Sequence, residues 1–82
     1  MIIEYRLNKN IVSRVAIQLN FLLNTIKDSI FIIKDNRCFN GKSLVGILAN
    51  NLKNNDTIRI ATSGENISKM REIFHTVGEE VK

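Results

Sequence analysis

Hydrophobic and polar positions follow two different periods along the first part of the chain. Residues 2–7 alternate, with Ile3, Tyr5 and Leu7 on one side, which is typical of a half-buried strand. From Val12 onward, apolar residues recur at spacings of three and four, which predicts the buried stripe of an amphipathic helix. The stripe comprises Val12, Val15, Ala16, Leu19, Leu22, Leu23 and Ile26. The chain therefore begins with a strand and continues into a helix.

Three further strands are indicated by short β-branched or alternating runs. Residues 30–33 are rich in isoleucine and phenylalanine, and residues 37–40 return as the second arm of a hairpin. The turn between them is Asp35-Asn36, because both residues tolerate left-handed backbone angles. Residues 57–63 alternate again and predict the last of four strands.

Two more helices complete the pattern. Ser43 precedes an apolar run that predicts a short helix ending near Leu52, since a serine hydroxyl is a good N-terminal cap. A final helix is predicted from Ile67 to Val81, with its apolar positions at Ile67, Met70, Ile73, Phe74, Val77 and Val81. The order β-α-β-β-α-β-α predicts an α+β open-faced sandwich, with a four-stranded, mostly antiparallel sheet and three helices on one face.

Composition narrows the class of protein. With 82 residues and 44% hydrophobic content, we expect a single domain over residues 1–82. No apolar run reaches the length of a membrane span, and the single cysteine, Cys38, excludes an internal disulfide, so we expect a cytoplasmic protein. Cys38 itself is expected to be a small buried residue on its strand.

Charge and aromatic content bear on nucleic-acid and metal binding. The net charge of +4 is compatible with nucleic acid or an acidic protein surface. Only Tyr5, Phe31 and Phe39 lie on predicted strands, and no aromatic-rich RNA-binding motif is present, so direct binding of nucleic acid is not expected. His75 is the only histidine and has no cysteine or histidine at ligand spacing, so no metal site is predicted.

The helix after Ser43 is apolar on almost every side. A helix of two or three turns cannot bury all of those side chains in its own domain. We expect Ile47 and Leu52 to face the core and Leu44, Val45 and Leu48 to face a partner. Gly41-Lys42-Ser43 ends like a nucleotide-binding P-loop, but the upstream glycine of that motif is missing and no cofactor is predicted.

The order of the predicted elements and the segment around Ser43 resemble the histidine-containing phosphocarrier (HPr) family of the bacterial sugar phosphotransferase system. The strongest similarity is Asn40-Gly41-Lys42-Ser43-Leu44-Val45-Gly46-Ile47-Leu48, which resembles the family's regulatory serine segment. Residues 57–65 are similar to the family's last strand and its glycine-acidic turn. The resemblance implies the HPr-like fold and places Ser43 at the position of seryl phosphorylation.

The same resemblance indicates a departure at the start of the first helix. An ungapped comparison places Asn10-Ile11-Val12-Ser13-Arg14-Val15-Ala16 on the family's Gly-aliphatic-His-Ala-Arg segment. Arg14 matches the arginine, but Val12 stands at the phosphohistidine position. Valine has no lone pair to accept a phosphoryl group, whereas imidazole does. The pattern resembles the catabolite-repression HPr-like (Crh) proteins, which also lack that histidine.

The resemblance implies a non-catalytic regulatory protein of carbon catabolite control. Its expected partners are HPr kinase/phosphorylase, acting on Ser43, and a catabolite-control transcription regulator, with enzyme I as a further candidate. Arg14 is expected to contact an acidic partner, and the chain is expected to be a monomer or a weak homodimer. Two alternatives remain open: a phosphocarrier with an atypical acceptor, and a paralogue that acts without phosphorylation.

Overall fold

The computed structural model describes all 82 residues and contains five strands and three helices. None of the three helices combines the length and apolar content needed to cross a membrane. The strands are β1 (Ile2–Leu7), β2 (Ile30–Lys34), β3 (Arg37–Asn40), β4 (Thr57–Thr62) and β5 (Gly78–Glu80), and the helices are α1 (Ser13–Leu23), α2 (Leu44–Ala49) and α3 (Ile67–His75).

The strands form one sheet in the order β3-β2-β4-β1-β5. Every neighbouring pair is antiparallel, and β1 lies between β4 and β5. This arrangement confirms the predicted α+β fold with three helices and an open antiparallel sheet. The sheet has five strands, however, where the sequence pattern predicted four.

The fifth strand lies where the final helix was predicted to continue. Helix α3 ends at His75, and Gly78 then pairs with Leu7 at the edge of β1. A Cβ atom on Gly78 would lie 2.5 Å from the carbonyl oxygen of Arg6, so only glycine permits this approach of the two backbones. The prediction of a helix to Val81 was therefore wrong, since Val81 continues the sheet edge and its N–H donates to the carbonyl oxygen of Glu4 at 2.8 Å.

The core lies between the sheet and the helices. The inward side chains of β1, Ile3, Tyr5 and Leu7, are buried, while Ile2 on the other side of the same strand is exposed. This alternation follows from the period of a strand and leaves one sheet face open. The buried cluster has 18 members: Ile3, Tyr5, Leu7, Ile11, Ala16, Leu19, Leu23, Ile26, Ile30, Ile32, Ile47, Leu52, Ile58, Ile60, Met70, Ile73, Phe74 and Val77.

Three local predictions are corrected by the structure. Helix α2 ends at Ala49 rather than near Leu52, because Asn51 turns the chain with φ of +52°. Cys38 is exposed rather than buried, since it pairs with Ile33 across β2 and β3 on the edge strand. Val12 precedes α1 and is 47% exposed, so it does not belong to the buried stripe.

Candidate functional site

A tight turn before α2 fixes the position of Ser43. The N–H of Gly41 donates to the carbonyl oxygen of Ile30 at 2.8 Å, which ties the turn to β2. The Oδ1 atom of Asn40 accepts from the N–H of Lys42 at 2.8 Å, and the Asn40 carbonyl oxygen accepts from the N–H of Ser43 at 3.1 Å. The chain therefore enters α2 with a backbone that is held on both sides of Lys42.

Ser43 is the N-cap of α2, as predicted. Its backbone is extended, with φ of −99° and ψ of 113°, and its Oγ atom accepts a hydrogen bond from the N–H of Gly46 at 3.1 Å. The hydroxyl proton has no acceptor in the structure, and no base lies against it. A reaction at this oxygen therefore needs a proton acceptor from a partner protein.

The helix that follows Ser43 divides its apolar residues between the core and the solvent. Ile47 is fully buried, whereas Val45 is 76% exposed and Leu48 is 46% exposed. Leu44, predicted to face a partner, is half-buried and packs against the core. Leu44 and Ile47 are three residues apart and share a helix face, so the exposed large apolar side chains of α2 are Val45 and Leu48.

Helix α1 adds exposed apolar residues that the sequence analysis did not assign to the site. Phe21 is 70% exposed and Ile17 is 56% exposed. Both lie off the buried stripe of α1, which is the signal that could have identified them. We call these two side chains, together with the exposed Val45 and Leu48 of the neighbouring helix α2, the apolar patch. Exposed apolar groups of this kind mark interaction sites in many proteins.

A groove of about 540 Å³ lies along α1, and Ile17 and Phe21 of the apolar patch line part of it. It is lined mainly by apolar side chains of α1 and by the segment that follows α3, among them Val15, Leu22 and Val77. Lys9 is the only charged residue in its lining. The accessible apolar surface of the helix layer therefore continues past Phe21 toward the end of α3.

Helices α1 and α2 run in opposite directions, which separates two of the predicted site residues. At one end, the N–H of Ile11 donates to the carbonyl oxygen of Leu52 at 2.9 Å. At the other end, the Nδ2 atom of Asn24 donates to the carbonyl oxygen of Lys42 at 3.1 Å. Arg14 therefore lies at the opposite end of the helix pair from Ser43, and it is exposed without an ion-pair partner.

The start of α1 has an unusual backbone. Val12 is extended, with φ of −131°, and no side chain caps the helix. Ser13, the next residue, has φ of +48°, in the left-handed region that non-glycine residues rarely adopt. Such a conformation costs on the order of 1 kcal/mol and is found most often at functional sites.

The segment after α2 supports the start of α1. The N–H of Asn54 donates to Oδ1 of Asn10 at 2.9 Å. Nearby, Asp56 accepts from Lys34 Nζ at 2.9 Å and from the N–H of Lys53 at 2.8 Å. Burial raises the pKa of the Asp56 carboxyl, but these two hydrogen bonds and the lysine charges outweigh burial and hold the pKa below its usual value.

The only histidine lies on α3 rather than at the start of α1 or α2. His75 is exposed at the end of α3, where its ring meets the ring of Tyr5 edge-on at 5.5 Å. Tyr5 is buried, and burial followed by the nearby Glu80 charge raises the pKa of its phenol. No group of three or more histidine, cysteine or acidic side chains is arranged to hold a metal ion.

A family comparison identifies the chain. Residues 4–76 match the family model described as the PTS HPr component phosphorylation site. This match covers most of the 82 residues, so the chain belongs to the HPr family of the phosphotransferase system. Members of that family are phosphocarriers rather than catalytic enzymes and work with phosphotransferase proteins such as enzyme I. No curated protein sequence matches the chain.

Solved structures share the fold at low sequence identity. The phosphocarrier protein HPr from Bacillus anthracis str. Ames is 24% identical with a TM-score of 0.80, covering 94% of this chain and 93% of the other. The histidine-containing phosphocarrier protein of a mycoplasma is 18% identical with a TM-score of 0.79, covering 93% of each chain. HPr-C-His from Thermoanaerobacter tengcongensis is 19% identical with a TM-score of 0.75, covering 93% and 90%.

Proposed function

We propose that the chain is an HPr-like regulatory protein that is phosphorylated on Ser43 rather than on a histidine, in the manner of the Crh proteins. The observation that carries this proposal is the combination of a half-buried Ser43 that caps α2 with the exposed side chains of Val45 and Leu48 on the same short helix. A modified residue beside an apolar docking surface is suited to a protein whose binding is controlled by phosphorylation.

The chemistry at Ser43 is a phosphoryl transfer from ATP. The Oγ atom attacks the γ-phosphorus, the bond to the bridging oxygen breaks, and ADP leaves. The hydroxyl proton passes to a base of the kinase, because the chain offers none beside Ser43. We infer that this kinase is an HPr kinase/phosphorylase and that the phosphorylated chain binds a catabolite-control transcription regulator through Val45 and Leu48. Arg14, at the far end of the helix pair, is proposed to contact an acidic part of a partner.

The absence of histidine from α1 supports regulation over phosphoryl carriage. By the resemblance at the start of α1, Val12 occupies the phosphohistidine position, and the single histidine of the chain, His75, lies at the end of α3. A valine side chain cannot form a phosphoramidate. Enzyme I is therefore proposed as a binding partner at most, and not as a donor to this site.

Intact-mass analysis after two separate incubations tests the proposal. Incubation with HPr kinase and ATP is expected to add one phosphate to the wild-type chain and to Ser13→Ala, and none to Ser43→Ala. Incubation with enzyme I and phosphoenolpyruvate is expected to add none. A phosphate in Ser43→Ala, or no phosphate in the wild-type chain, contradicts the proposed modification.

A surface variant tests the docking role separately. Val45→Asp places a charge on the most exposed apolar residue of α2, and we expect it to weaken binding of the kinase by about tenfold, as at other interface anchors. Ile2→Asp is the matched control, because Ile2 is 60% exposed on the open sheet face. Equal kinase affinity for the two variants would argue against docking through α2.

A second candidate is a phosphocarrier with an atypical acceptor. The observation that favours it is Ser13, whose exposed hydroxyl follows Val12 in a left-handed conformation at the start of an 11-residue helix. A phosphate transferred from enzyme I and lost in Ser13→Ala would support this candidate. A paralogue that binds partners without any phosphorylation would take no phosphate from either donor and would still lose partner affinity in Val45→Asp.

A further inference from the structure

Lys42, the residue before Ser43, holds the loop between α1 and β2 (residues 24–29, the α1–β2 loop) by two separate contacts. Its Nζ atom donates a hydrogen bond to the carbonyl oxygen of Ile26. Its own carbonyl oxygen accepts from Asn24 Nδ2 at 3.1 Å, and the same Nδ2 atom donates to the carbonyl oxygen of Asn20 at 2.8 Å. The end of α1 and the start of α2 are therefore joined through one lysine.

The ammonium of Lys42 has no anionic partner in this state. The two ion pairs of the chain are Lys34 with Asp56 and Arg71 with Glu80. The Lys42 ammonium instead donates a partly buried hydrogen bond to a neutral carbonyl group. A phosphate carries nearly two negative charges at neutral pH and attracts an ammonium group more strongly than a neutral carbonyl dipole does, so a nearby phosphate would compete for this ammonium.

We propose that Lys42 couples the phosphorylation state of Ser43 to the α1–β2 loop. When Ser43 carries a phosphate, the flexible side chain of Lys42 turns from the Ile26 carbonyl group to a phosphate oxygen one residue away. The Ile26 carbonyl loses its partner, and the α1–β2 loop becomes more mobile. This proposal rests on the modification of Ser43 proposed above, and it adds an internal response of the fold.

The released loop adjoins the docking surface. The N–H groups of Asn24 and Ile26 donate to carbonyl oxygens in the last turn of α1, so their exchange with solvent reports the order of that turn. Phe21, in the apolar patch, lies in the same turn. Farther along the loop, Asp28 Oδ2 accepts from the N–H of Asn66 at 3.0 Å, just before α3. Phosphorylation at α2 therefore loosens the α1 part of the apolar patch through Lys42.

Amide hydrogen exchange on four synthetic chains tests the coupling. The chains carry serine or phosphoserine at position 43, each in the wild-type and the Lys42→Met background. In the wild-type background, phosphoserine is expected to speed exchange at Asn24, Thr25 and Ile26 by about fivefold, a typical size for loss of one local contact. In Lys42→Met, exchange at these amides is expected to be fast already and unchanged by phosphoserine.

Two controls make the result specific. Lys27→Met removes a charge from the same loop, but Lys27 makes no side-chain hydrogen bond, so phosphoserine should still speed exchange there fivefold. Amides of the β1–β4 ladder monitor global unfolding, and Lys42→Gln replaces Lys42→Met if that variant is unfolded. Unchanged exchange in the wild-type background, or an equal change in Lys42→Met, overturns the proposal.

Because the phosphoserine chains are made by chemical synthesis, the exchange experiment does not depend on a kinase that modifies Ser43. If kinase and ATP fail to label Ser43, the proposed function fails, while the exchange experiment on the phosphoserine chain still decides whether Lys42 responds to a phosphate. If the kinase labels Ser43 and the exchange rates do not change, only the coupling through Lys42 is rejected.

Discussion

The starts of α1 and α2 are built in different ways, although each precedes a helix that packs on the same sheet. At α2, Ser43 is extended and its hydroxyl oxygen accepts from the N–H of Gly46. At α1, Val12 offers no capping group, and Ser13 is left-handed with φ of +48°. At α2, the N-cap side chain thus accepts a hydrogen bond from a free backbone N–H group of the first turn. At α1, no side chain does so, and the backbone of Ser13 is strained.

This difference indicates that the two helix starts have been shaped by different requirements. A serine cap serves folding on its own, so the geometry at Ser43 needs no partner to explain it. Strain at Ser13 lowers stability and is maintained by the packing around it, including the bond from the N–H of Ile11 to the Leu52 carbonyl oxygen. On the proposed placement of Val12 at the family's phosphohistidine position, this strained backbone directly follows a residue that cannot accept a phosphoryl group.

Placing an imidazole at position 12 should therefore change phosphate acceptance from enzyme I, the largest effect that we expect. We expect Val12→His to accept a phosphate from enzyme I and phosphoenolpyruvate, and we expect the wild-type chain to accept none. Val12 is 47% exposed, so an imidazole at this position can be reached by a donor. Intact-mass analysis at neutral pH, followed by acid treatment that hydrolyses phosphohistidine, measures the gain.

Val45→His is the matched control for that experiment. Val45 is 76% exposed on α2, so its replacement adds a more exposed imidazole than Val12→His does, outside the start of α1. We expect no phosphate on this variant. A folded Val12→His chain that stays unlabelled would contradict the placement of Val12 at the phosphohistidine position.

Replacing serine by alanine at each helix start should lower the free energy of unfolding at Ser43, which caps its helix, but not at Ser13, which does not. Ser43→Ala removes the acceptor of the Gly46 N–H, and we expect a loss of about 1 kcal/mol in the free energy of unfolding. Ser13→Ala removes a hydroxyl that caps nothing, and we expect a change within about 0.5 kcal/mol. Urea denaturation of the two variants measures both values, and equal losses would contradict the difference between the two helix starts.

Local features of the sequence were sufficient to predict the start of α2 and the hairpin. The Ser43 cap depends on one hydroxyl and a backbone N–H three residues away, and the turn at Asp35, with φ of +56°, depends on the tolerance of aspartate for that angle. Both are decided within a few residues, so the pattern of the chain predicts them directly.

The missed features depend on contacts between distant parts of the chain. Strand β5 has only three residues, and its state is set by pairing with β1 rather than by an alternating pattern. Cys38 is exposed because β3 lies at the edge of the sheet. The exposure of Phe21 is different, because hydrophobic spacing already places this residue off the buried stripe of α1. Hydrophobic spacing does not show the pairing of β5 with β1 or the edge position of β3.

Relieving the backbone strain at Ser13 should raise the free energy of unfolding, by less than Ser43→Ala is expected to lower it. Glycine adopts a positive φ without steric cost, so we expect Ser13→Gly to gain about 0.5 kcal/mol after the entropy that glycine adds to the unfolded chain. Arg14→Gly is the matched control in the first turn of the same helix, and it should lose up to about 1 kcal/mol, the cost of glycine in a helix interior. Thermal unfolding measures both, and a loss in both variants would show that Ser13 is not strained.

The smallest expected effect is a difference in pH dependence: the stability contributed near the start of α1 should change in acid, and that contributed by the Ser43 cap should not. The cap at Ser43 uses a hydroxyl and a backbone N–H, neither of which titrates in acid. The segment that supports the start of α1 includes Asp56, which has a lowered pKa in the folded chain despite its partial burial, because Lys34 and the Lys53 N–H donate to it. A lowered folded pKa stabilises the chain above the unfolded value of about 4.

This stabilisation should disappear as the pH falls from about 5 through 4 and then below the lowered folded pKa of Asp56. Since the ion pair is solvent-accessible, we expect less than about 1 kcal/mol. The measurement is the unfolding free energy of the wild-type chain minus that of Asp56→Asn, by urea denaturation at a series of pH values. The difference should be positive at neutral pH and decline in acid, whereas wild type minus Ser43→Ala should stay constant. A difference for Asp56→Asn that does not change with pH would mean that the carboxylate charge contributes nothing to the support of α1.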